Sequence, residues 1–259
     1  MQFVNPLLKR KAFIWWNFPV SDYVRDRLLL GAVYGNGTDI DDDISAFISN
    51  PMEHAEASKI ALFSIADYAW NMDAYKSDAS WRRAVRYLMP GHAAALQVFA
   101  SHNSDLGGNE HDFRREESEQ IRPALERLLD AYCREGKREV AAASAVTEEC
   151  ERMIASADLL LASDENPALI KEITPWLMQF KLLGEYGREV LCMLAAQCDG
   201  KKTELEKAAS HAKALQVLMK KIDATYNQNG FQPGVKTGSC HLKPAFDRLY
   251  QEVVQRTGK

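Results

Sequence analysis

Only two runs in this chain of 259 residues read as β-strands, and both lie before residue 52. Two strands cannot bury their own faces, so whatever folds here must cover them with helices or with further strands. The first run, Phe13-Ile14-Trp15-Trp16, is continuously apolar, as in a strand of a parallel sheet buried on both faces. It continues into Asn17-Phe18-Pro19-Val20-Ser21-Asp22-Tyr23, and the second run is Ile44-Ser45-Ala46-Phe47-Ile48-Ser49-Asn50-Pro51. Each ends in polar groups. A tryptophan wall beside uncharged amides and one carboxylate suits a pyranose, which offers an apolar face and a ring of hydroxyls.

Between the strands, Tyr23 to Leu30 is expected as a short helix capped by Ser21 or Asp22, and Gly31 to Asp43 as a loop rich in Gly, Asn and Asp. Asn50-Pro51 followed by Glu53 has the form of a helix start, and the helix is expected to run to Trp70. Strand, loop and helix in this order are what a β/α barrel or a doubly wound sheet provides. The starting residues Met1 to Pro6 read as the inside of a domain.

The remainder reads as helical. Ile121, Leu125, Leu128 and Tyr132 repeat at helical spacing; Val146, Cys150, Met153, Ala157 and Leu160 form a second stripe. Leu205, Ala208, Ala212, Leu215, Met219 and Ile222 form a third, and such stripes are the seams of an antiparallel bundle. One helix or a broken pair spans Pro167 to Gln197, with Thr174-Pro175 as a restart. Gly230 to Gly238 is a loop, and a last helix follows Pro244.

A net charge of −4 gives no broad basic footprint for nucleic acid. No apolar run reaches the length of a membrane span, and the N-terminus lacks the basic-then-apolar order of a signal peptide. Five scattered cysteines (Cys133, Cys150, Cys192, Cys198, Cys240) read as buried thiols, with neither a disulfide framework nor a zinc site implied. No metal or cofactor site is legible.

Several longer strings carry a family resemblance. They are Trp15 to Tyr23, Ser49 to Lys59, Ala66-Asp67-Tyr68-Ala69-Trp70-Asn71, His102-Asn103-Ser104-Asp105-Leu106-Gly107 and Arg114-Arg115-Glu116-Glu117-Ser118. Glu172-Ile173-Thr174-Pro175-Trp176 and Gln232-Pro233-Gly234-Val235-Lys236-Thr237 follow in order late in the chain. Together they closely resemble the glycoside hydrolase family 84 enzymes, the bacterial β-N-acetylglucosaminidases related to eukaryotic O-GlcNAcase, some of them named hyaluronidases. The resemblance implies the last two β/α units of an incomplete (β/α)8 TIM barrel over residues 1–112, then an all-α helical bundle over 113–259. It places Phe13 to Asn17 on the seventh barrel strand and Ile44 to Ser49 on the eighth.

Carried over by position, Trp15 would line the pocket for the N-acetyl group and Asn17 would hydrogen-bond within the site. Asp22 would accept from outer sugar hydroxyls and Asn50 would bind another. Read without the resemblance, Asp22 and Asn50 are helix caps, and Trp15 and Trp16 are core aromatics. The family reaction is retaining hydrolysis in which the sugar's own 2-acetamido oxygen attacks the anomeric carbon. Two adjacent aspartates assist it from the end of the fourth strand. That pair would precede the segment seen here, so no catalytic residue is assigned and the chain alone is expected to be inactive. Asp41-Asp42-Asp43 reads as a solvated acidic loop ahead of the second strand.

The implied partner is an N-acetylglucosamine-containing glycan or glycoprotein, and bacterial relatives imply a periplasmic or extracellular setting. A reading from another class is a non-catalytic helical interaction module or a truncated gene product. Among other polar residues, Tyr23 reads as packing, and His54 and His102 as structural. His111 is a loop histidine, solvated or near the site mouth, and Arg114-Arg115-Glu116-Glu117 reads as a charged helix start.

Overall fold

The computed structural model describes residues 1–105 and 115–258. The expected helix start at Arg114, the loop histidine His111 and the domain boundary between 112 and 113 lie outside them. A short helix α1 (Val4–Leu8) leads into strand β1 (Ala12–Pro19), and a 3-10 turn (Asp41–Asp43) leads into β2 (Ile44–Asn50). The two strands pair in parallel, with Phe13 opposite Ala46 and Trp15 opposite Ile48. Helices α2 (Ala55–Trp70), α3 (Ser77–Leu88) and α4 (Ala93–Ser101) follow. The helical part is α5 (Arg122–Glu135), α6 (Val140–Leu161), α7 (Pro167–Cys198), α8 (Lys202–Thr225) and α9 (Leu242–Thr257).

The three predicted stripes are the bundle core. Ile121, Leu125, Leu128 and Tyr132 are buried, the second stripe is buried from end to end, and of the third only Leu215 is partly open. Helix α7 is the hub, packing on α2, α6, α8 and α9. It runs unbroken through Pro175, so Thr174-Pro175 is interior to one long helix and not a restart. Burial on nearly all sides holds α7 together there, with Ile173, Trp176 and Leu177 at most 2% exposed around the missing N–H. Gly184 and Gly187 let its neighbours come close. A Cβ on Gly187 would sit 2.5 Å from the Phe246 ring and 2.8 Å from Cys150 Sγ.

Four local expectations are corrected. Tyr23 to Leu30 is not helical: it makes two tight turns, with Val24 N–H donating to Ser21 O and Arg27 N–H to Val24 O. Leu28, Leu29 and Leu30 are then all buried, and three consecutive residues cannot all face inward from a surface helix. The helix expected from Asn50-Pro51 begins at Ala55, because Asn50 still belongs to β2. Phe3 and Leu7 of the start are exposed, at 78% and 69%, and α1 buries no residue. Of the cysteines, Cys150 is enclosed, whereas Cys192 and Cys198 lie on the surface.

Among the described residues the sheet is covered on one face only. Trp16 packs inward against Phe18, Phe47 and Tyr68, with ring centroids 5.4 to 5.9 Å apart. Phe13, Trp15 and Ile48 stand on the other face, 55%, 66% and 46% exposed. A two-stranded sheet with an open apolar face and unpaired edges invites association. The chain expressed by itself should therefore self-associate, read by size-exclusion chromatography with light scattering. A monodisperse monomer at all concentrations would contradict the open face. Within the bundle, Gly187→Ala should lower stability by about 1–3 kcal/mol, measured by denaturant unfolding. An unchanged midpoint would show that α7, α9 and Cys150 are not tightly packed there.

Candidate functional site at the strand ends

Alternation along a strand sends Trp16 and Phe18 to the helix-covered face and Trp15 and Asn17 to the open one. Asn50, at the end of the neighbouring parallel strand, comes beside Asn17. Asn17 Oδ1 accepts from Trp15 Nε1 at 2.9 Å and from Asn50 Nδ2 at 3.2 Å. These bonds orient both amides and hold the indole flat along the rim. They leave Asn17 Nδ2 and Asn50 Oδ1 without a bonded partner among the described residues, one donor and one acceptor for a ligand. Ser49 Oγ donates to Phe18 O at 2.7 Å and fixes the strand ends to each other.

Three of the four expected sugar-binding residues are thus joined by hydrogen bonds. The fourth, Asp22, is exposed on the turn that follows β1. Its backbone carbonyl accepts from Arg25 Nε at 3.3 Å, and no contact ties its carboxylate to the other three. Asn50 is no helix cap. The N-terminus of α2 is served by Glu172, from the hub helix α7, whose Oε1 accepts from Ala57 N–H at 2.7 Å. His54, at the cap position, packs edge-on to Trp176 with centroids 4.9 Å apart. Burial lowers its pKa against the raising influence of Glu172 and Glu53. The acidic triplet Asp41 to Asp43 sits at the opposite end of β2, roughly 20 Å of strand away from the rim.

Sequence reasoning missed a buried polar cluster that ties α4 to α6. His102 is structural, as expected, but it is also the centre of a relay. Its Nδ1 lies 2.8 Å from Ser118 Oγ and its Nε2 2.7 Å from Glu149 Oε1. Arg152 pairs with the same carboxylate. Burial works to raise the Glu149 carboxyl, but the His102 ring and the Arg152 guanidinium outweigh it and hold it below its ordinary value. Ser118 N–H donates in turn to Ser101 O, so the cluster ties the end of α4 to the segment before α5 and to α6. Glu117 is likewise no surface charge. Only 1% exposed, it accepts from the backbone N–H of Cys240 and His241 at the start of α9. Burial pushes its carboxyl up despite those two donors. The single legible signal was adjacency: Glu117-Ser118 closes the string that carried the resemblance.

An exposed aromatic beside paired amides thus stands at the C-terminal ends of two parallel strands. Comparison with known families makes this specific. Residues 117–250 match the family model described as "Bacterial GH84, post-catalytic domain", and residues 1–101 that described as "beta-N-acetylglucosaminidase". The chain belongs to glycoside hydrolase family 84.

Over 76 residues it is 32% identical to the Protein O-GlcNAcase of Rattus norvegicus, a stretch making up 29% of this chain and 8% of that protein. The Mus musculus protein gives the same figures. The solved chain described as "Structure of CpGH84D" superposes with a TM-score of 0.85 at 27% identity, covering 98% of this chain and 42% of that one. "Structure of CpGH84B" gives 0.84 at 24% identity, covering 96% and 41%. A mutant of the Thermobaculum terrenum O-GlcNAc hydrolase gives 0.75 at 20%, covering 100% and 53%. The likenesses at 24% and 20% speak for the fold alone. The chain thus spans about half or less of these solved relatives and a small fraction of the curated ones.

Replacing Glu149 with Gln should cost about 1.5–3 kcal/mol at neutral pH, read from urea unfolding. Because the folded carboxyl titrates below its unfolded value, the stability it confers is present above the usual carboxylate range. It is lost as pH falls through the folded pKa. The gap between wild type and E149Q should therefore close on acidification. A gap independent of pH would show that His102 is not held by the charge.

Proposed function

We propose that this chain is part of a retaining, substrate-assisted β-N-acetylglucosaminidase hydrolysing terminal β-linked N-acetylglucosamine of the O-GlcNAc type. In this reading β1 with the irregular segment after it, and β2 with the helices after it, stand where the last two β/α units of a (β/α)8 barrel would be, and the helical bundle begins near residue 113. The observation that carries it is the convergence of Trp15, Asn17 and Asn50 on one open rim, together with family membership.

The roles follow from the side chains. Trp15 covers the acetamido methyl and the apolar ring face, and Asn17 and Asn50 bond hydroxyls through the groups left free by their mutual bonds. Asp22, on its exposed turn beyond the rim, accepts from outer hydroxyls of a ligand that reaches past Asn17. A carboxylate that takes two hydroxyl protons discriminates their orientation and rejects ligands lacking them. In the reaction the acetamido carbonyl oxygen attacks the anomeric carbon while the glycosidic C–O bond breaks and an acid protonates the leaving oxygen. Water then reopens the cyclic intermediate with retention. The acid and the group that polarises the acetamide are an adjacent aspartate pair borne on an earlier barrel strand.

The 259-residue chain alone should therefore not hydrolyse an aryl N-acetyl-β-glucosaminide; measurable turnover would show that these residues contain their own acid. In a chain carrying all eight β/α units, Asp22→Ala should lower kcat/KM by about 10- to 150-fold, the worth of hydrogen bonds to a charged acceptor. An unchanged kcat/KM would remove Asp22 from the site.

A further inference from the structure

The turn that carries Asp22 leaves β1 at its C-terminal end, the end of the sheet at which Asn17 and Asn50 meet. Two backbone hydrogen bonds shape it, Val24 N–H to Ser21 O at 2.9 Å and Arg27 N–H to Val24 O at 3.0 Å. Neither involves Asp22 itself. Among the described residues, the one hydrogen bond that reaches Asp22 comes from a side chain: Arg25 Nε donates to its carbonyl oxygen at 3.3 Å. The same guanidinium extends to a second segment. Arg25 Nη1 lies 3.6 Å from Glu53 Oε2, and Glu53 belongs to the loop between β2 and α2. One side chain thus spans from the Asp22 carbonyl, beyond β1, to the Glu53 carboxylate, beyond β2.

Both ends of that span are anchored. The carbonyl of Arg25 accepts from Asn227 Nδ2 at 2.7 Å. Beside Glu53, Met52 is 3% exposed and its Sδ accepts from Leu29 N–H at 3.2 Å, while His54 packs on Trp176 of α7. Asp22 has no such support. Exposed, and bonded only through its carbonyl, it takes its place relative to Asn17 and Asn50 from Arg25.

Stability does not account for this bridge. Exposed ion pairs contribute little, because water screens them and two long side chains must be ordered. Arg25 and Glu53 are 35% and 40% exposed. What the bridge fixes is geometry. A guanidinium presents its donors as a rigid fork, so Nε and Nη1 hold two acceptors in a set direction; a lysine is a point charge on a flexible stem and cannot serve both.

On the reading that Asp22 accepts from outer sugar hydroxyls, we propose that Arg25, held by Glu53, is a positioning residue for that contact. The bridge from Asp22 O to the β2–α2 loop sets where the Asp22 carboxylate stands over the rim, and with it the discrimination between hydroxyl orientations. Neither Arg25 nor Glu53 touches the sugar; each acts through Asp22.

The test is a double-variant cycle in a chain carrying all eight β/α units. It measures kcat/KM on an aryl N-acetyl-β-glucosaminide and on its C4 epimer, the aryl N-acetyl-β-galactosaminide. Arg25→Ala should lower kcat/KM on the glucosaminide by about 3- to 30-fold, within the roughly 10²-fold that a displacement of about 1 Å can cost. It should also narrow the ratio between the two substrates, and Arg25→Lys should not restore it. The R25A chain should melt within about 2 °C of wild type. Added to Asp22→Ala, R25A should change kcat/KM by less than about twofold, since both act through one contact. Should R25A fail to fold, Glu53→Gln, which keeps the side chain's length and removes its charge, provides the same cycle. If D22A lowers kcat/KM while R25A leaves rate and ratio unchanged, the positioning role is overturned and the sugar-reading role of Asp22 stands. If R25A slows both substrates equally, or multiplies its full loss onto D22A, it acts without Asp22 and the positioning role falls likewise. A D22A chain with unchanged kcat/KM and ratio would remove the reading of Asp22 and the positioning role with it.

Discussion

The segment from Ser21 to Val33 runs through the interior without regular structure, and nearly everything else follows from how its backbone is satisfied. Buried peptide groups must find partners, and here the partners come from remote elements. Trp81 Nε1 donates to Leu30 O at 2.8 Å and Trp176 Nε1 to Asp26 O at 3.0 Å. Leu30 N–H donates to Asn103 O at 2.8 Å, and Lys236 N–H to Asp26 O at 2.7 Å. Asn227 Nδ2 reaches Arg25 O at 2.7 Å. Four elements, from α3 to the loop before α9, thereby converge on one stretch of chain. That stretch leaves β1 two residues beyond the rim.

The strand pair and the bundle are consequently one mechanical body in this region. Glu172 at the start of α2 and His54 against Trp176 add a second tie between the strand unit and the hub helix. The rim residues depend on both. Asn17 and Asn50 share their hydrogen bond at a register shift, where Asn50 pairs with Pro19, and the strand pair beneath is held by Trp16 and Phe47 packing on Tyr68 of α2. Two amides and an indole are thus positioned by apolar residues packed on the opposite face of the sheet.

Periodic elements were legible before any coordinates. The stripes of α5, α6 and α8 contain their own answer, because apolar residues at 3- and 4-residue spacing can be buried together only on one helix face. The same local logic failed at Tyr23 to Leu30, where Leu28-Leu29-Leu30 look helical in isolation. Being swallowed by the core on every side removes the distinction between faces on which periodicity depends. It failed again at Asn50-Pro51, which has the composition of a helix start. Parallel pairing with β1 claims Asn50 first, and a carboxylate 115 positions away serves the helix N-terminus in its place.

What the sequence determined alone was the inventory: two strands, a set of amphipathic helices, and aromatic and amide side chains in the alternation that puts Trp15 and Asn17 on one face. Those properties are local, set by backbone periods of 2.0 and 3.6 residues. Tertiary structure decided what is nonlocal. It selected Asn50 as Asn17's partner, buried Glu117 under the start of α9, and assembled His102, Ser118 and Glu149 from three separated segments. No periodicity encodes such meetings, because a hydrogen bond between distant residues depends on where packing places the elements that carry them.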